Sequence, residues 1–427
     1  MGHVKQVRRW WQRGAWLLCG LLLSWLVSCG SPTATASGLE FWTMQLQPQF
    51  TEYFNQTIAQ FESQSPETEV VWTDVPWAAM ESKILAAVSA KTAPDVVNLN
   101  PNFAALLAGR NAWLTLDDRL SEEQRDRYLP NIWDASTIDG NSFGIPWYIT
   151  TRIAIFNQTL LEAADISEPP QTYAQLAEAA AQIREETGKY AFFVTFVPED
   201  SAEVLESFVQ MGVDLVDAEG KAAFNTPEGK AAFQYWVDLY QQELLPKEVL
   251  TQGHRRAIEL YQGGETALLS TGPQFFQTIA QNAPDIAEVS IAAPQITGET
   301  GKKGVAVMNL VVPQDSDRPQ DAIDFALFVT NSDNQLQFAK LSNTLPSAKA
   351  ALEDEYFHTL PPEATQVDRA RIISAEQLKD AEVLLPPIAD IKELQRAIYD
   401  NLQAAMLGEK TVEDAIADAA QMWDDRL

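Results

Sequence analysis

The chain has 427 residues, with 30 Lys and Arg against 59 Asp and Glu, for a formal charge of −29. So acidic a protein is a poor partner for nucleic acid, whose phosphate backbone calls for a basic surface. The 46% hydrophobic and 10% aromatic content rules out wholesale disorder, and the length exceeds the ~250–300 residues that a single core sustains, so two domains are expected. Three His and two Cys are too few for a His- or Cys-rich metal site or a disulfide scaffold. No metal or other cofactor is expected.

In chain order, the first element is a targeting segment. Lys5, Arg8, Arg9 and Arg13 precede an apolar run at 15–27 broken only by Gly20 and Ser24, the n-region and h-region of a secretory signal. The run is shorter than the ~20 apolar residues of a spanning helix. It ends in Leu26-Val27-Ser28-Cys29, which resembles a bacterial lipobox, making Cys29 the expected lipidation site and residues 1–28 the removed signal. Cleavage there leaves 26 basic against 59 acidic residues, a net charge of −33, and takes Cys19 away. Residues 29–38, rich in Ser, Thr, Ala and Pro, read as a flexible tether.

From residue 39 onward, short β-branched or aromatic runs alternate with helical patterns, the signature of an α/β fold with mainly parallel sheets. Strands are predicted at 39–43, 69–73 and 95–99. Between them lie a helix carrying Phe50, Phe54, Ile58 and Phe61 and a second helix over 77–90 with Ile84, Leu85 and Val88 inward, giving βαβαβ. Thr172 with Gln175 forms a capping box, and Thr226-Pro227 a cap followed by proline at the first helical position. Further strands are predicted at 152–156, 190–196, 267–270 and 305–312, with helices at 320–330 and 334–341. A turn or crossover is expected at 298–304, and only helices from 372 to 427.

Chemistry is sparse. His254 and His358 are the only histidines after cleavage, and neither lies near a nucleophile elbow or a zinc-binding His-Glu-x-x-His box; acidic pairs such as Asp117-Asp118 are ordinary solvated surface. No catalytic residue is identified. The aromatic residues are more informative. Trp42 ends the first strand, Trp77 opens a helix after the second, and Trp147 sits in Ile145-Pro146-Trp147-Tyr148. Ligands of α/β sheets bind at strand C-termini, where an indole can stack on the C–H face of a sugar. The alternative is that these tryptophans are core residues, as Trp72, Trp236 and Trp423 are expected to be.

Over residues 39–427 the chain resembles the extracellular solute-binding proteins of bacterial ABC importers, in the large sugar-binding class with the maltose-binding and glycerol-phosphate-binding proteins. The marks are Thr92-Ala93-Pro94-Asp95-Val96-Val97, Phe143-Gly144-Ile145-Pro146-Trp147-Tyr148, Ile155-Phe156-Asn157, Asn225-Thr226-Pro227-Glu228-Gly229 and Ser270-Thr271-Gly272-Pro273, in the family's order. Two departures occur: Phe156-Asn157 stands where Tyr-Asn is usual, and Val307-Met308-Asn309-Leu310 puts bulk where the family is often glycine-rich.

The resemblance implies a two-lobed periplasmic-binding-protein fold. The N-terminal lobe would be 39–148 with 304–345, the C-terminal lobe 149–303 with 346–427, and a ligand would be trapped between them on closure. It implies crossings near Tyr148, Gly304 and Leu345-Pro346-Ser347. Carried over position by position, the pocket residues are Trp42, Gln45, Asp74, Trp77, Asn98, Asn100, Trp147, Tyr148, Gln274, Phe275, Met308 and Asn309, with the helix after Gly272-Pro273 presenting its N-terminus to the cleft. Arg152 either pairs with an acid of its own lobe or reaches an anionic ligand. The implied role is a non-catalytic, exported, lipid-anchored monomer, periplasmic or on the outer face of the cytoplasmic membrane. It would capture a sugar or polyol for the transmembrane subunits of an ABC permease. An anionic solute such as glycerol phosphate is the alternative ligand, disfavoured by the scarcity of basic residues near the cleft segments. An exported polysaccharide hydrolase or lyase is the alternative from another class.

Overall fold

The computed structural model describes residues 38–426, apart from 109, 110, 139, 199, 386, 387 and 389. The signal at 1–28, Cys29 and the tether up to residue 37 lie outside the described residues.

The described chain opens as β1 (Leu39–Met44), helix Thr51–Gln64, β2 (Val70–Val75), helix Trp77–Ala90 and β3 (Val96–Leu99), in the expected order. The first helix forms because Phe54, Ile58 and Phe61, joined by Tyr53 and Thr57, make one continuous buried stripe. A small hairpin, β4 (Thr137–Ile138) and β5 (Asn141–Ser142), leads into the long β6 (Gly144–Thr151) and then β7 (Ile153–Asn157). After a helical stretch come β8 (Leu268–Thr271), β9 (Ser290–Pro294), β10 (Lys303–Val311), β11 (Leu345–Pro346) and the two-residue β12 (Ala381–Glu382). Against the expectation of helices alone from residue 372 onward, β12 pairs with β10; Ile391–Met406 and Val412–Asp424 are the last two helices. The anticipated caps are present: Thr172 accepts from Gln175 N in a full capping box, and Thr226 accepts from Gly229 N ahead of Pro227.

Two sheets result. The larger has the order β11-β6-β10-β3-β1-β2, with β12 added on β10; the smaller has the order β8-β7-β9. Strand direction differs from the mainly parallel expectation. β1 is parallel to β2 and β3, but β10 is antiparallel to both β3 and β6, and the smaller sheet is antiparallel throughout. The reason is the path of the chain: β10 returns from the smaller sheet and enters the larger one running opposite to the strands that left it. A second difference is that residues 190–196 form no strand, making only an isolated bridge from Tyr190 to Thr266. The run Ala191, Phe192, Phe193, Val194 is apolar because it is buried in the core, and burial of an extended segment does not require a ladder.

Each sheet has its own apolar packing. Phe41, Phe54, Phe61 and Phe325 pack edge-on or tilted between the larger sheet and helices Thr51–Gln64 and Pro319–Val329. The opposite face takes Met80 and Ile84 of helix Trp77–Ala90. The smaller sheet is buried by helices including Tyr173–Thr187, Pro227–Gln241, Ile391–Met406 and Val412–Asp424. Each fully buried large side chain in these cores contributes ~1.5–3 kcal/mol.

Candidate functional site

The chain changes sheets at a single residue. β6 stays in the larger sheet through Thr151 and β7 begins at Ile153 in the smaller one, leaving Arg152 at the switch. The return crossing lies between β9, which ends at Pro294, and β10, which begins at Lys303, with Gly304 just inside β10. Two buried glutamines tie the crossings together: Gln377 Nε2 donates to Arg152 O (3.2 Å), Gln295 N donates to Gln377 Oε1 (2.7 Å), and Gly304 N donates to Gln295 Oε1 (2.8 Å). Gly304 fits because a Cβ there would sit 3.2 Å from Leu384 Cδ1.

A cavity of about 330 Å³ opens at this switch, at the lower end of the ~300–1,000 Å³ range of small-molecule sites. Its walls come from both sheets. Asn100 follows β3, Thr150 and Thr151 end β6, Thr271 and Gln274 follow from β8, and Glu206 projects from helix Glu203–Gln210. Asn100 Oδ1 accepts from Phe103 N (2.8 Å), capping helix Pro101–Ala108. Thr151 is 3% exposed, and its Oγ1 has no hydrogen-bond partner among the described residues. Arg152 Nε lies 3.2 Å from Glu206 Oε2, with both side chains partly exposed. Burial pulls the guanidinium down, but Glu206, Glu203 and Tyr173 raise it more, so Arg152 stays charged. That pairing is the first of the two alternatives the sequence left open for Arg152.

Of the twelve pocket positions, the structure brings Asn100 and Gln274 to this cavity. Gln45 and Trp77, after β1 and β2, contact each other outside its lining: Trp77 N donates to Gln45 Oε1 (3.2 Å), and the Trp77 ring, 44% exposed, tilts against Phe103 at 5.9 Å. Asp74 is committed to the turn after β1, accepting from Thr43 Oγ1, Leu46 N and Gln47 N at 2.7–3.0 Å. Its charge, after burial itself, also helps push the Tyr148 phenol up.

The others are packed elsewhere. Trp147, expected as a stacking platform, is wholly buried, stacked on Phe338 (5.1 Å) and edge-on to Phe54 and Tyr148. Trp147 is the extra residue of a β-bulge on β6, between Pro146 and Tyr148, and it packs with Phe54 of helix Thr51–Gln64 rather than lining the cavity. Trp42 is buried on the opposite face with Lys83 Nζ 3.9 Å over its ring. Tyr148 packs on Phe338 as well as Trp147. Met308 pairs with Tyr148 and Asn309 with Pro146, on either side of the bulge at Trp147, and both are buried. Asn98 Nδ2 donates to Asn309 O (3.3 Å), and Asn309 Oδ1 accepts from Ser136 Oγ (2.7 Å). Phe275 packs against the core of the smaller sheet. The helix after Gly272-Pro273 does begin at the cavity, but the N–H groups of Phe275, Phe276 and Gln277 already bond Gly272, Pro273 and Gln274 carbonyls.

Sequence reading missed Thr150, Thr151 and Glu206. The signal for the threonines was two hydroxyls and an arginine interrupting an apolar stretch from 143 to 156. Glu206 sits one helical turn after Glu203 in a helix whose Val204, Leu205 and Phe208 are buried. Among the described residues no helix is long and apolar enough to cross a membrane, and no group of three or more His, Cys, Asp or Glu could hold a metal ion.

Two sheets, each with its own core and a cavity at the strand switch, define a two-lobed α/β binding protein of the periplasmic type. The chain belongs to the bacterial extracellular solute-binding protein family, whose model matches residues 47–336. It is similar to a Synechococcus sp. MITs9220 protein provisionally assigned as an oligosaccharide periplasmic-binding protein. That likeness has 45% identity and a TM-score of 0.84, covering 91% of this chain and 98% of that one; a structure of the protein with zinc is similar at 46%. It also resembles the arabinooligosaccharide-binding protein of Halalkalibacterium halodurans, at 26% identity over 71% of this chain and 69% of that protein. The cyclic alpha-maltosyl-1,6-maltose binding protein of Arthrobacter globiformis shares the fold, with a TM-score of 0.77 at 21% identity, covering 91% and 98% of the two chains.

Proposed function

We propose that this chain is a non-catalytic, lipid-anchored substrate-binding protein of an ABC importer, which captures a neutral carbohydrate or polyol and hands it to a membrane permease. The lobes are assigned as 39–148 with 304–345 and 149–303 with 346–427, with Cys29 carrying the lipid on the outer face of the cytoplasmic membrane or in the periplasm. The observation that carries this reading is the cavity at the sheet switch. Residues bearing amides and hydroxyls line it from both sheets, Asn100 and Thr151 on one side and Thr271 and Gln274 on the other. Neutral donors and acceptors of this kind match sugar hydroxyls. The one guanidinium on the wall is already paired with Glu206, which weighs against an anionic ligand. Family membership supports a binding role, and relatives named for arabinooligosaccharides and for mannitol support a polyhydroxylated ligand.

The test is a thermal-shift screen of the mature chain against mono-, di- and oligosaccharides, polyols and glycerol phosphates. A ligand at 100 times its Kd adds ~2.7 kcal/mol of stability. A rise with a neutral sugar or polyol is the expected result. A rise confined to phosphates, or turnover of a glycan, contradicts the reading.

A further inference from the structure

The pair Arg152–Glu206 is more than a structural bridge, because of where it stands. Arg152 is the residue at which the chain leaves the larger sheet, and Glu206 lies on a helix packed in the core of the smaller sheet. Both side chains line the 330 Å³ cavity, and both also line a second, 40 Å³ cavity walled by Phe192 and Trp236, so the pair is the partition between the two. It is only partly covered, at 29% and 21% side-chain exposure. The contact engages Nε of a guanidinium that has five N–H donors in all, and one oxygen of a carboxylate with several acceptor sites, so hydrogen-bonding capacity remains on both partners. Beside them stands the Thr151 hydroxyl, buried without a partner among the described residues.

We propose that Arg152 and Glu206, with Glu203 on the wall of the second cavity, act as one recognition unit without net positive charge that selects an uncharged pair of neighbouring hydroxyls and rejects anions. Glu206 accepts from one ligand hydroxyl while Arg152 donates to the adjacent oxygen. A phosphate or carboxylate gains nothing from a guanidinium already compensated and is repelled by Glu206. The unit is assembled before any ligand arrives, since its geometry needs no movement between lobes. This inference rests on the carbohydrate reading above and deepens it.

The experiment is titration of the wild type, Glu206→Gln and Arg152→Gln with the best neutral ligand of the screen and with its phosphorylated counterpart, at two ionic strengths. Glu206→Gln is expected to bind the neutral ligand roughly 10- to 100-fold more weakly, the loss of one charge-assisted hydrogen bond, and to gain salt-sensitive affinity for the phosphate. Arg152→Gln is expected to lose neutral affinity without that gain. Ligand-free melting is recorded for each. If a single variant unfolds because a partner charge is stranded, the double variant Arg152→Gln with Glu206→Gln restores the fold and still binds the neutral ligand at least tenfold more weakly. Neutral affinity unchanged in Glu206→Gln, or in the folded double variant, overturns the recognition role and leaves the carbohydrate reading intact. A wild type that binds no neutral sugar or polyol overturns both.

Discussion

Trp147 separates two accounts of the same segment. As a stacking platform, its loss would abolish ligand binding and leave the empty protein intact. As placed in the structure, it is wholly buried against Phe338, Phe54 and Tyr148, with its Nε1 unpartnered among the described residues. Trp147→Ala therefore removes an entire indole from a packed aromatic cluster, and Phe→Ala or Trp→Ala changes in cores cost about 3–5 kcal/mol. At ~2.1 cal/mol/K per residue, roughly 390 cooperatively unfolding residues have an unfolding entropy near 0.8 kcal/mol/K, so the melting temperature should fall by about 4–6 °C. Trp147→Phe keeps most of the volume and removes the unpartnered N–H, so it should cost under ~1.5 kcal/mol. Calorimetry of the ligand-free variants, followed by titration of the folded fraction, makes the comparison. The expected outcome is a melting loss in Trp147→Ala with ligand affinity within a few-fold of wild type. A normal melting temperature with binding lost would refute the core assignment.

Thr151→Val replaces a buried, unpartnered hydroxyl by a methyl of the same shape. It should raise stability by about 1 kcal/mol in urea unfolding while weakening ligand binding, and a loss of both, or of neither, contradicts a ligand-facing hydroxyl. Lys392 Nζ lies 3.3 Å from Glu81 Oε2, joining helix Ile391–Met406 of the smaller sheet's core to helix Trp77–Ala90 on the larger sheet. Lys392→Glu should weaken ligand binding by at most about fivefold at low salt, with recovery when Glu81→Lys is added, and no effect in high salt; an effect of equal size at all salt concentrations counts against an electrostatic tie. Cys29→Ala should move the protein from the membrane to the soluble fraction, and retention after a carbonate wash would contradict lipid anchoring.

The elements that could be read from sequence are those whose pattern is local. Phe54, Ile58 and Phe61 mark a helix stripe, Thr172 with Gln175 marks its own cap, and the alternation of short strands with helices gives the α/β class. Strand direction in β10 was not legible, because it depends on which lobe the chain comes from. Residues 190–196 misled because burial selects the same β-branched and aromatic residues as a ladder does. At the site, position along a strand was legible but facing was not. Trp147 and Thr151 lie on the same strand, yet packing against Phe338 and proximity to Arg152 decide which one meets the cavity. Asn100 and Gln274 were named only through the family resemblance; each stands just before a helix that follows a strand, a place where the fold exposes side chains.

The central claim is that a neutral polyhydroxylated ligand binds where the chain switches sheets. The measurement that tests it most directly is a crystal structure of the mature chain with the strongest binder from the sugar and polyol screen. The account predicts ligand hydroxyls within hydrogen-bond distance of Asn100, Thr151, Gln274 and the Arg152–Glu206 pair. A ligand found instead on the exposed Trp77–Phe103 face, with the switch cavity holding none of it, would contradict the account.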